Sequence, residues 1–106
     1  MNAKEFVSIF KKEKDIMLHE YLSMSGTRTS KLISDLKLNN EQKLVMSEIV
    51  DSLITDAFYT VLMGLDGEAN IGGTQQTYKI YDENGNLISD CGDIEAAMGI
   101  LVGKDI

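Results

Sequence analysis

A chain of 106 residues with 43% hydrophobic and 25% charged side chains has the apolar surface for one hydrophobic core and not the length for two, which points to a single domain over residues 1–106. Its formal charge of −7 is divided unequally: residues 1–50 carry eight Lys/Arg against seven Asp/Glu, and residues 51–106 carry two against ten. That acidic second half repels phosphate backbones and argues against nucleic acid as a direct ligand.

There is no proline, and Gly26 stands alone among the first 63 residues, the other eight glycines falling at 64 or later. Because these two residues interrupt helices, long helices are predicted first and a turn-rich β element after them, an α+β fold. Asn2 is a suitable N-cap for a first helix running to about Met24, with Phe6, Ile9, Phe10, Ile16, Met17, Tyr21 and Met24 on its apolar face. Within it, Ser8 and Lys11-Lys12 break up the apolar residues, so no signal-peptide core is read there. No run anywhere approaches the roughly 20 apolar residues of a membrane span, so no membrane partner is expected.

The turn-rich stretch Ser25 to Ser30 leads into a short second helix over Lys31 to Leu36, capped by Thr29 or Ser30. Asn39 or Asn40 caps the third helix, with Glu41 in its first turn where the helix dipole favours negative charge. On a wheel of 100° per residue, Met46, Ile49, Val50, Leu53, Ile54, Ala57 and Val61 fall together, leaving Glu48, Asp51, Ser52, Thr55 and Tyr59 as a narrower polar strip. The reading is a mostly buried helix about 37 Å long from Glu41 to Leu65, forming the spine of the fold. Leu65-Asp66-Gly67 is its exit turn, with Gly67 in a left-handed conformation.

Thr74 to Tyr81 has strand composition, Asp82-Glu83-Asn84-Gly85-Asn86 is a hairpin turn, and Leu87-Ile88-Ser89 is the returning strand. A type I turn with a Gly85 bulge puts Ile80 opposite Ile88 and Tyr81 opposite Leu87, whereas a two-residue Asn84-Gly85 turn puts Tyr81 opposite Ile88. The first is favoured because it pairs the isoleucines. A lone hairpin is marginal in water, so it must pack on the helices, gain a strand near Ala69 to Ile71, or pair with another chain. Asp93 caps a last short helix with Ile94, Ala97, Met98, Leu101 and Val102 as its apolar stripe and Gly103 as its stop.

Candidate chemistry is sparse. His19 lies one turn after Asp15, but both project from a polar face, where a solvated pair accounts for them. Glu13 and Glu20 border the apolar face, and their stems can cover it while the carboxylates reach water. The Asp82–Asn86 loop has its glycine two positions too early for an EF-hand, and Gly64-Leu65-Asp66-Gly67 and Gly72-Gly73 lack the Lys-Ser/Thr of a phosphate loop. Cys91 has no partner in the chain, which excludes an internal disulfide and a multi-cysteine zinc site and fits a reducing cytoplasm. Asp90 and Asp93 beside it would raise its pKa, so it reads as structural. Gln75 and Gln76 are ordinary polar residues of an exposed strand. No catalytic residue and no cofactor are expected.

What remains is collective: Asp51, Asp56, Asp66, Glu68, Asp82, Glu83, Asp90, Asp93, Glu95 and Asp105 share 55 residues with two lysines. Such a surface speeds encounter with basic partners, and solubility alone also produces one. From Phe58 to Asp93 the order is a helix ending in Leu65-Asp66-Gly67, a strand, an Asp-x-Asn-Gly-Asn hairpin and a short helix opened by an aspartate. This layout resembles small uncharacterised bacterial α+β proteins, including immunity proteins that neutralise a neighbouring toxin. The resemblance is carried by turn signals, so it transfers no site. The expectation is a non-enzymatic binding protein that meets a basic partner through Asp66, Glu68, Asp82, Glu83, Asp90 and Asp93. The alternative is a homodimeric assembly module, suggested by the hairpin edge and six methionines.

Overall fold

The computed structural model describes residues 1–103, so Asp105 lies outside the described residues. Helix α1 spans Ala3–Leu22 and opens as predicted: the Asn2 side-chain oxygen accepts the Glu5 N–H at 2.8 Å. Helix α2 spans Arg28–Asp35 and starts earlier than the sequence suggested, because Thr27 rather than Thr29 or Ser30 accepts the Ser30 N–H, at 3.1 Å. The Ser30 hydroxyl instead donates back to the Thr27 carbonyl, which draws Ser30 into the interior. Lys37 then leaves the helix with φ 52°, a left-handed conformation that a side chain adopts at some cost.

Helix α3 spans Asn40–Leu65 and is sealed by a capping box: Asn39 accepts the Gln42 N–H at 2.9 Å and the Gln42 side chain accepts the Asn39 N–H at 3.0 Å. Gly64 sits inside the helix rather than ending it. An added Cβ there would overlap the Ile71 side chain, which lies flat against this turn. Gly67 makes the exit at φ 81°, and a Cβ there would press on Thr77 and Cys91.

The β element is smaller than its composition suggested. Only β1 (Ile80–Tyr81) and β2 (Leu87–Ser89) pair, antiparallel, with an isolated bridge between Ile71 and Thr74. Tyr81 faces Leu87 as expected, but Ile80 faces Ser89 instead of Ile88, because Ile88 is an extra residue bulged into β2. The bulge turns Ile88 and Ser89 both inward, which a regular two-residue alternation forbids.

Helix α4 (Asp93–Ala97) runs into a 3-10 turn, Met98–Ile100. Its cap comes from elsewhere in the chain: Gly92 occupies the N-cap position, Asp93 is the first helical residue and accepts the Asp90 N–H, and the orphan N–H groups are satisfied by Asp66. The described residues thus form an α+β fold of a long helix, an N-terminal helix packed on it, a hairpin and a short C-terminal helix.

The core gathers Val7 of α1, Leu62 and Met63 of α3, Ile94 of α4, and Met98 and Leu101 beyond it. Phe6, Phe10 and Phe58 close one side with edge-to-face rings 5.2 and 5.5 Å apart. All of this lies at one end. Helix α3, about 39 Å long, carries its first turns beyond the core, and the molecule measures 47 × 29 × 29 Å with a Cα radius of gyration of 16.2 Å. A packed chain of this length has a radius near 13 Å.

Candidate functional site

Helix α1 packs against α2, α3, α4, β2 and the 3-10 turn, so the burial of α3 is organised along its seam with α1. One neighbouring helix covers about 100° of another's circumference. The apolar arc of α3 is wider than that. Val50 and Ile54 are buried in the seam and Leu62 and Met63 in the core, but Val45, Ile49, Leu53, Ala57 and Val61 are all exposed. These five are spaced i, i+4, one turn apart, so they form a continuous apolar ridge. Leu53 is 63% exposed and Leu44, on the flank, 70%. The helix expected to be mostly buried is therefore buried at its C-terminal end and along one side only.

Besides an open hollow on α1 beside Asp15, Leu18, His19, Leu22 and Ser23, two concavities lie at the free end of α3. A groove of about 430 Å³ separates the end of α1, α2 and the start of α3, with Leu22, Ile33, Leu38, Leu44 and Met46 in its wall and Lys37 and Lys43 beside them. A second hollow of about 380 Å³ lies between Leu38, Glu41, Gln42, Val45, Met46 and Ile49 at the head of the ridge. Leu38 and Met46 line both, so the apolar surface is continuous from one to the other.

The α1 stripe that covers the seam is rotated from the predicted one. Val7 and Lys14 are its buried members, while Ile9 and Ile16 stand in solvent. Lys14 was missed as a candidate because a lysine amid apolar spacing looks like a surface residue. Its Nζ lies 3.1 Å from Asp51 Oδ1 and donates to the Leu101 carbonyl at 3.4 Å. Asp51 Oδ1 is itself buried without a hydrogen-bond partner among the described residues, so the contact is electrostatic rather than a directed hydrogen bond. An aspartate in the presumed polar strip of α3 thereby turns toward α1 and rotates the buried side away from the ridge.

The acidic residues divide by role. Asp66 is fully buried, its Oδ1 accepting the Gly92 and Ile94 N–H groups, each at 3.0 Å, and its Oδ2 the Glu95 N–H at 2.9 Å. It caps α4 and presents no surface to a partner, which removes it from the predicted contact face. Asp82 Oδ1 accepts the Asn84 and Asn86 N–H groups at 2.9 and 3.0 Å, with the N-terminal ammonium 3.8 Å from Oδ2. The Asn86 and Asn84 amides and that charge hold its carboxyl below the ordinary 3.8, against a smaller opposing effect of burial. Glu83 is exposed at the hairpin tip. Glu68, Asp90, Asp93 and Glu95 are exposed around the start of α4, and carboxylate oxygens of Asp66, Glu68 and Glu95 come within 4.8 Å of one another. Glu68 Oε1 also accepts the Cys91 thiol at 3.4 Å, which, with burial and the charges of Glu68, Asp66 and Asp90, pushes that thiol above its ordinary 9.0. The direction expected for Cys91 holds, and its main cause is Glu68 across the loop rather than the sequence neighbours.

The remaining candidates stay on the surface. Asp15 is engaged by Lys11 through both oxygens, at 2.8 and 2.9 Å, instead of by His19. Glu13, His19 and Glu20 are exposed. Gln75 donates to the Gly67 carbonyl at 3.0 Å and so braces the exit turn of α3. No helix among the described residues is long and apolar enough to cross a membrane. No known protein family matches this chain, and neither does any curated protein or solved structure.

Proposed function

We propose that this protein is a non-enzymatic binding module whose working surface is the exposed ridge of α3, in the reducing cytoplasm that a free cysteine suits. The observation that carries the reading is the unbroken row Val45, Ile49, Leu53, Ala57 and Val61, every member exposed on a rigid, doubly capped helix. Apolar patches beyond a few hundred Å² mark interaction sites on folded proteins. The row from Val45 to Val61, about 24 Å long and 10–12 Å across, offers on the order of 250 Å², and the adjoining hollows extend it. Association purification from the source organism with the wild type and with Ile49→Asp/Leu53→Asp tests it: the partner is retained by the first and lost from the second. An identical set of co-purifying proteins contradicts it.

A second reading keeps the acidic half as the contact face for a basic protein, as an immunity-type inhibitor would use it. It is favoured by the gathering of Glu68, Asp90, Asp93 and Glu95 at the start of α4. Under that reading, neutralising Asp82, Glu83, Asp90 and Asp93 releases the partner, and Ile49→Asp/Leu53→Asp does not.

A further inference from the structure

We infer that the occupant of the α3 face is a cationic amphipathic helix of another protein. The inference rests on the reading of α3 as the association surface and adds the partner's chemistry. From Val45 to Val61 the ridge runs about 24 Å, five side chains each one turn apart. At about 40° per step the row winds about 160° around the axis, so a second helix interlocks with its Val45, Ile49 and Leu53 stretch, about 80° wide, and crosses the row beyond it. The hollow between Leu38, Glu41, Val45, Met46 and Ile49 seats the first large apolar side chain of such a helix.

Charge selects the kind of helix. The only cation in α3 is Lys43, which lies about 160° around the axis from Val45 and borders the groove on the other flank. Exposed Glu41, Glu48 and Asp56 lie within or beside the ridge. Asp51 is already engaged by Lys14. An incoming helix with Lys or Arg beside its apolar face meets three carboxylates that have no basic residue of α3 among them.

A second copy fits poorly by the same criterion. Two α3 helices crossing antiparallel about Leu53 place their Asp56 residues about 9 Å apart along the axis in an apolar seam. Parallel pairing sets every carboxylate beside its own image.

The test uses two fluorescently labelled 18-residue amphipathic helical peptides of one apolar pattern, Leu/Lys and Leu/Glu, titrated by anisotropy against the wild type, Leu53→Asp and Glu48→Lys/Asp56→Lys. Circular dichroism confirms that the variants are folded. The Leu/Lys peptide binds the wild type and is at least tenfold weaker on both variants, and the Leu/Glu peptide prefers the double-lysine variant. Leu53→Asp makes the protein more acidic, so undiminished Leu/Lys binding to it reveals mere charge attraction and overturns the inference. Equal binding of both peptides to the wild type does the same. A wild-type dimer in sedimentation equilibrium that Leu53→Asp dissociates overturns the cationic partner while leaving α3 as the association surface. A wild-type monomer that binds neither peptide overturns both.

Discussion

The two ends of α3 belong to one unbroken helix and are both rich in aliphatic residues, yet Leu62 is fully buried and Leu53, nine residues earlier, is 63% exposed. The difference lies in what surrounds them. At the C-terminal end α1, α4 and the 3-10 turn converge on Leu62 and Met63, whereas further back α1 supplies a single seam. Apolar composition therefore measures how much surface a helix needs to cover, and the number of neighbours decides how much is covered within the chain. The uncovered part is the proposed site.

The largest expected effects break this contrast at the buried end. Leu62→Ala loses about 2–5 kcal/mol and Leu53→Ala well under 1 kcal/mol in urea unfolding, since only the first opens a cavity. Similar losses at both sites would mean that the ridge is covered. Asp66→Ala follows, at about 3 kcal/mol, because three N–H groups at the head of α4 lose their acceptor together. Hydrogen exchange should show α4 opening first in that variant.

Smaller effects sharpen the picture. The folded-state depression of the Asp82 pKa contributes stability that is fully present above the unfolded value and is lost as pH falls through the folded one. The Asn84 and Asn86 amide resonances should therefore titrate with a midpoint below 3.8, and a midpoint above it would refute the turn geometry. Lys37→Gly relieves the left-handed residue after α2 and should stabilise the free end by about 0.5–1 kcal/mol in thermal melts, with no change if Lys37 adopts another conformation.

Much of the fold was legible because local chemistry decides it. Asn2, Asn39, Gly67 and the Asp82–Asn86 turn act within three or four residues of themselves, and all four behave as their residue types imply. What was not legible depends on distant partners. Asp66 caps a helix that begins 27 residues later, so no window around Asp93 could show that the cap was already supplied. Ile88 and Ser89 both turn inward at a bulge that strand alternation could not show, and the wheel could not reveal that Lys14 and Asp51 meet in the seam. One signal for the ridge was present: from Val45 around to Phe58 the apolar residues of α3 span roughly 220°, about twice what a single neighbouring helix covers.

The central claim is tested most directly by exposing methyl-labelled protein to a soluble paramagnetic probe. The methyl resonances of Leu44, Val45, Ile49 and Leu53 should broaden strongly in the isolated chain while those of Val7, Leu62, Ile94 and Leu101 stay sharp. Equal protection of both groups would show that the α3 face is already covered and would contradict the account.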